Sequence, residues 1–354
     1  MRRLKRTVNF LFLLFAVMLA VLLIFLFREK KQEKQEAVLP GFTVFCEGEE
    51  ISALYAAKEG IWVGGRDGVK RLNPETGQVI DYVAEDLELI YAAEIVRSSD
   101  GTVWIGHNEG VSLLKPSGER TDYGKGVLTG GRVNTILTKG EYTFVGTMEG
   151  ANVFSRKDGV WRPVRQYTKE KGLLSDTVNV LAETEEELWF GSYLDNRPGG
   201  VSILSEKGWQ YLAIEEGLSH PYINSVLPLE NQVLIATGQL SEGGLDIAEK
   251  ESSGYRITDS FSVADGIPGE KVRWLYRDSQ GHLWITTESD GLLLCRDDVL
   301  THPMDGILLR QEQGLSDNEV KKIVETEKYY FLAGRYGLTR IEKDALEALL
   351  EGEG

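Results

Sequence analysis

GIPGEKVRWLYRDSQGHLWITTESDGLLL, residues 266–294, holds a turn, a short strand, an Asp/Gly hairpin, a second strand centred on Trp284 and a third opened by Gly291. Strand-length runs punctuated by Gly, Asp and Ser specify antiparallel β-structure. The stretch has six relatives within the chain. Aligned on Trp284, they place Trp62, Trp104, Phe144, Trp189, Leu234 and Phe331 in one column, with spacings of 42, 40, 45, 45, 50 and 47 residues. Two positions later stands a small residue: Gly64, Gly106, Gly146, Gly191, Ala236, Thr286 or Ala333. After a loop comes Gly plus an apolar residue: Gly68-Val69, Gly110-Val111, Gly150-Ala151, Gly200-Val201, Gly244-Leu245, Gly291-Leu292 and Gly337-Leu338.

Seven copies of four short strands at a 40–50-residue period specify a seven-bladed β-propeller. The large column fills the space between blades, the small one sits where backbones converge, and the Gly opens the third strand with φ > 0 or a close approach. Outer strands are expected at 79–82, 120–123, 161–167, 209–212, 255–258 and 307–310. The seventh repeat lacks one, and the folded part begins with an orphan strand at 42–45, so the N-terminal strand is expected to complete blade seven and close the ring.

The chain carries a net charge of −16. Its first 36 residues hold eight basic and three acidic groups, which is +5, so the remainder carries −16 − 5 = −21. Such a domain repels phosphate backbones, and nucleic acid is not expected as a partner. Two cysteines, Cys46 and Cys295, exclude a disulfide framework and form no metal-binding spacing; they read as packing thiols, with their pairing left open.

Residues 10–27 are eighteen consecutive apolar residues behind Arg2, Arg3, Lys5 and Arg6. At about 1.5 Å per residue they reach roughly 27 Å, close to a bilayer's hydrocarbon thickness. The run passes directly into Arg28-Glu29-Lys30-Lys31 without small residues for cleavage, which favours a signal anchor over a signal peptide. Phe45 before Cys46 argues against a lipoprotein. Four basic residues flank each end, so the positive-inside count is tied; the short acid-free tail favours the N-terminus inside. The expected organisation is therefore a cytoplasmic tail (1–9), a transmembrane helix (10–27), a polar stalk (28–40), an extracytoplasmic all-β seven-bladed propeller of four-stranded antiparallel blades (41–343), and an acidic tail or short helix (344–354) with no assigned role.

A second signature precedes most blades: GLLSDTVNVL from Gly172, GLSHPYINSVL from Gly217, GIPGEKVRWLY from Gly266 and GLSDNEVKKIV from Gly314. Each places Val178, Ile223, Val272 or Val320 six positions after the Gly. With the LWIG-type strands, this resembles the two-component regulator propeller repeat over residues 42–342. The resemblance implies a sensor-type domain like the extracytoplasmic parts of bacterial hybrid histidine kinases, some of which recognise oligosaccharides. Those proteins add a second propeller, a further β-domain and kinase and receiver domains after the membrane span. None of these has a counterpart in the 354 residues, so phosphotransfer within this chain is not expected.

Propellers bind at the end where second-to-third-strand loops and blade links emerge. There the loop lengthens to eleven residues in blade four, with Tyr193, Asp195, Asn196 and Arg197, and to ten in blade five, with Gln239 and Glu242. Extra loop residues that the repeat does not need are candidates for function. Arg66, Asp67, Tyr91, His107, Asn108, Arg132, His220, Tyr222, Lys271, Glu288, Asp290, Arg335 and Tyr336 are expected around the same mouth. Aromatic faces beside Asp, Asn and Arg suit a saccharide; a membrane or cell-envelope protein is the other expected partner. Asn134, Asn179 and Asn224, one residue after the Val/Ile column, either line the channel or satisfy local backbone. His107 and His220 with Glu288 would suit lyase or lactonase chemistry if they converged. No nucleophile motif, metal cluster or close carboxylate pair supports catalysis, and a non-catalytic module without cofactor is expected.

Overall fold

The computed structural model describes residues 38–83, 91–193, 199–239, 242–297, 300–302 and 304–352, together with Met18. Among these residues no helix is long and apolar enough to cross a membrane; the apolar run 10–27, apart from Met18, and the stalk as far as residue 37 lie outside them.

Seven four-stranded antiparallel sheets are present, six of them with their strands in sequence order and the seventh joining the first strand to the last three. Their inner strands are Ile51–Ala57, Glu94–Arg97, Val133–Lys139, Val178–Glu183, Ile223–Pro228, Val272–Arg277 and Val320–Glu325. Six outer strands follow the expected positions, and the seventh is Phe42–Phe45, paired antiparallel with Gly337–Glu342 from Phe42↔Ile341 to Phe45↔Leu338. The ring is closed by the N-terminal strand as expected.

Each large anchor packs forward against the next blade. Trp104 lies edge-on to Phe154 and Trp161 of blade three, and Trp284 lies 4.8 Å from Tyr330 of blade seven. The small column has a sharper cause than crowded backbone. A Cβ on Gly106 would meet Val133 Cγ1 at 2.5 Å, and one on Gly191 would meet Ile223 Cγ2 at 2.7 Å. The Val/Ile of these links is thus the knob for the small site of the preceding blade, a place Ala92 takes at Gly64. At the third-strand position, Gly110 has φ 144° and a Cβ there would collide with the Tyr123 carbonyl, so the conformation and the space both demand glycine.

In six blades the inner strand shifts register immediately after the Val/Ile knob: Ile51/Ala53, Val133/Thr135, Val178/Val180, Ile223/Ser225, Val272/Trp274 and Val320/Lys322. The skipped residue is a β-bulge, which bends the strand and re-aims a side chain.

Three further details are now defined. The lengthened blade-five loop is not an irregular insertion: Gln232–Gln239 and Glu242–Glu251 pair out to Gln239↔Glu242, so the added residues extend a hairpin. The C-terminus is a helix, Lys343–Gly352, with Leu346 and Leu350 buried in the blade six–seven core. Its Lys343 pairs with Glu325, and Arg296 donates to the Leu350 carbonyl at 2.5 Å, so the segment has a packing role. Cys46 and Cys295 are both free, and burial pushes the Cys295 thiol up to about 12.

Candidate functional site

The axis of the ring holds a cavity of about 500 Å³, lined at the end where the second-to-third-strand hairpins and blade links emerge by Arg132, Met148, Tyr193 and Lys271. Its wall is the set of inner strands, and the bulges decide which side chains face it. The bulged residue is Ser52, Asn134, Asn179 and Asn224 in blades one, three, four and five, but Arg273 in blade six and Lys321 in blade seven. One position further on, blade two offers Glu94, blade six Trp274 and blade seven Lys322.

The asparagines do both things the sequence left open. They line the cavity, and their amides donate across to the next blade: Asn134 Nδ2 to the Val178 carbonyl (3.1 Å), Asn179 to Ile223 (2.8 Å) and Asn224 to Val272 (2.9 Å). No described residue donates to their side-chain oxygens.

Opposite them runs a belt of alternating charge. Lys271 lies 2.9 Å from Glu288, which takes Arg273 at 2.7 Å; Arg273 reaches Glu319 at 3.2 Å; Glu319 is 3.9 Å from Lys321, which meets Glu50 at 2.6 Å. Lys322 pairs with Glu94 of blade two and sits 4.8 Å over the Trp274 ring. This pair bridges past blade one, where Ser52 and Ala53 leave room. Burial would raise Glu288, but Arg273 and Lys271 outweigh it and hold that carboxyl below the usual range. Burial wins at Glu319, whose pKa is raised although Arg273 and Lys321 oppose the shift. The hydrogen bond from Lys321 lowers Glu50.

An aromatic wall stands at the mouth between blades four and five. Tyr193 packs on Tyr222 at 5.1 Å, Tyr222 packs edge-on against His220 at 4.9 Å, and Lys271 lies 5.5 Å over the Tyr193 ring.

Of the residues anticipated from sequence, Arg132, Tyr193 and Lys271 line the cavity, Glu288 orders two of its cations, and Tyr222 and His220 back Tyr193. Arg66, Tyr91, Arg335 and Tyr336 are exposed, and with Asn108, Gln239 and Glu242 they are not part of the cavity wall. Asp290 stays outside it too, accepting from Ser289 at 2.8 Å. Asp195, Asn196 and Arg197 lie outside the described residues.

The two histidines do not form a pair at the mouth. His107 is buried, with Nε2 3.1 Å from Ser112 Oγ and Nδ1 accepting the Glu109 amide, so both nitrogens are engaged within blade two. His220 Nδ1 accepts the Tyr222 amide at 3.1 Å. Burial lowers the pKa of both, and neither lines the cavity. Among the described residues no group of three or more His, Cys, Asp or Glu is arranged to hold a metal.

The wall residues that sequence reasoning missed are Arg273, Trp274, Lys321, Lys322 and Glu94. Their signal was the break in the pattern after the knob, where VRW and VKK stand in place of VN.

Residues 266–289 match the family model described as two component regulator propeller, so the resemblance carried by GIPGEKVRWLY is borne out. No curated protein matches the chain. Among solved structures, an extracellular domain described as that of a hybrid two-component system from B. thetaiotaomicron superposes with a TM-score of 0.70 at 17% identity, covering 87% of this chain and 42% of that one. A second B. thetaiotaomicron extracellular domain, described as that of a one-component system, gives 0.66 at 17%, covering 86% and 40%. Virginiamycin B lyase from Staphylococcus aureus gives 0.62 at 14%, covering 85% and 98%. The chain thus spans about two fifths of the first two structures' length. At these identities the likeness is one of fold.

Proposed function

We propose that this chain, which carries the two-component regulator propeller repeat, is a membrane-anchored, extracytoplasmic, sensor-like recognition propeller without catalytic activity. The observation that carries the reading is the axial cavity. About 500 Å³ is within the range of small-ligand sites. Its wall concentrates ordered polar groups and an aromatic face on one open end, instead of the uniform small side chains that a purely structural axis would need. The B. thetaiotaomicron neighbours are extracellular domains of regulatory systems, which supports the sensor-like reading. A lyase is also among the neighbours, but the His107/His220 geometry gives that chemistry no support.

The test is thermal unfolding of the full chain in detergent, with neutral and acidic saccharides, divalent ions and cell-envelope extracts added separately. A ligand at 100 times its Kd should stabilise by about 2.7 kcal/mol, and Tyr193→Ala should abolish the shift. A flat response to every addition would sink the small-ligand reading.

One observation favours a second reading, a scaffold for a membrane or cell-envelope complex. Val79, Ile80 and Tyr82 on the outer strand of blade one are 41%, 49% and 58% exposed. Ile80→Lys would then weaken crosslinking to a partner in membranes and leave ligand binding untouched.

A further inference from the structure

The recognition reading above, on which this inference rests, does not say what chemistry the cavity selects. The two sides of the wall are complementary in kind. Blades three to five present Asn134, Asn179 and Asn224, each with an amide hydrogen committed to a backbone carbonyl of the next blade and with a side-chain oxygen that accepts from no described residue. Those oxygens are acceptor capacity, which suits hydroxyl donors. Blades six and seven present Arg273, Lys321 and Lys322, whose N–H groups outnumber the oxygens that hold them.

Charge points the same way. Five cationic side chains line the cavity (Lys271 and Arg132 besides those three), and with the four carboxylates that pair with them, Glu50, Glu94, Glu288 and Glu319, the cluster carries +5 − 4 = +1. Arg132 is exposed and makes no ion pair among the described residues. This cationic cluster sits in a region, everything beyond residue 36, that carries −16 − 5 = −21. Low-dielectric walls focus such a local field, so an anion is favoured at the axis although the domain as a whole repels it.

We propose that the cavity binds a polyhydroxylated carboxylate, with its carboxylate against the Arg273–Lys321–Lys322 side and its hydroxyls toward the asparagine oxygens. Either a free sugar acid or a uronate unit of a saccharide has this chemistry. Charged hydrogen bonds to the carboxylate carry the affinity, and the asparagines discriminate hydroxylated from plain acids.

Titration calorimetry on the full chain in detergent tests this with three probes. D-glucuronate carries both features, D-glucose only the hydroxyls, and acetate only the carboxylate. The expected result is glucuronate binding at least about tenfold more tightly than either. The Lys321→Met/Glu50→Gln double variant removes a cation together with the carboxylate paired to it, and should bring glucuronate down to the level of glucose. Asn179→Ala should bring it toward acetate. A methyl glucuronoside binding as tightly as glucuronate assigns the saccharide source, and its rejection assigns the free acid. Glucose matching glucuronate on the wild-type chain overturns the proposal while leaving the recognition reading standing. Acetate or sulfate matching it overturns the hydroxylated-carboxylate assignment. No heat from any probe up to a few millimolar overturns it outright.

Discussion

Gly106 shows how much of this fold rests on absent atoms. The site that a methyl group would occupy is filled by Val133 of the next blade, whose Cγ1 would lie 2.5 Å from a Cβ at Gly106. Gly106→Ala should therefore cost about 1–3 kcal/mol through overpacking, measured by urea denaturation. Adding Val133→Ala should recover part of that loss, and additive costs would show that the two residues do not share one space. His302 offers a residue-scale test of a different kind. It stacks on Phe261 at 4.1 Å and bridges Asp259 (3.1 Å) and Asp265 (3.2 Å), tying blade five's edge to blade six. Hydrogen bonds to Asp259 and Asp265 raise its pKa above the ordinary histidine value. Its stabilisation is thus fully present below the unfolded-state pKa of about 6.5, and is lost as pH rises through the folded-state value. His302→Gln should lower the melting temperature clearly near pH 5.5 and progressively less toward pH 8.5; a pH-independent difference would assign the effect to stacking alone.

At the scale of the element, the inner strand and its bulge explain what sequence could and could not disclose. The anchors, the small column and the third-strand glycines were legible because the same physical demand recurs seven times. The binding wall is the opposite case, being built where the repeats differ. Arg273 and Lys321 occupy the bulged position that is Asn in three other blades, and only the register shift aims them at the axis. Strict alternation from Val272 or Val320 gives no warning of that shift. Rim residues such as Arg335 and Tyr336 suggest themselves because their loop emerges at the correct end, yet Tyr336 is 52% exposed and outside the wall. Blade four's Asp195, Asn196 and Arg197 lie outside the described residues, so their loop adds nothing to the comparison. The packing of the C-terminal helix was unreadable for another reason: ten residues outside the repeat have no column to be compared with. Leu346 and Leu350 nevertheless bury completely or nearly so against blades six and seven. Leu346→Ala should cost about 2–5 kcal/mol in urea unfolding, and an effect within about 0.5 kcal/mol would mark the helix as a surface ornament.

For the whole molecule, the closing strand sets how the N-terminal chain enters the ring. Phe45 pairs with Leu338, adjacent to the Gly337 hairpin at the cavity mouth, whereas Phe42 pairs with Ile341 at the far end of the same strand. Gly41 there accepts the Glu342 amide at 3.0 Å, beside the start of the C-terminal helix. The first described residues before it turn back, with Leu39 N donating to the Gln313 carbonyl of the blade six–seven link at 3.0 Å. We propose that residues 10–27 span the membrane and that the cavity mouth faces away from the lipid. A test places one fluorophore on Asn108→Cys near the mouth and another on Lys328→Cys in the turn at the opposite end, each in a Cys46→Ser background, with an acceptor on the lipid headgroups. A strand of about six residues separates the two ends by roughly 20 Å. Quenching should be consistently stronger at Lys328. Stronger quenching at Asn108 would mean that the mouth faces the bilayer, and the ligand would then have to arrive from the membrane side.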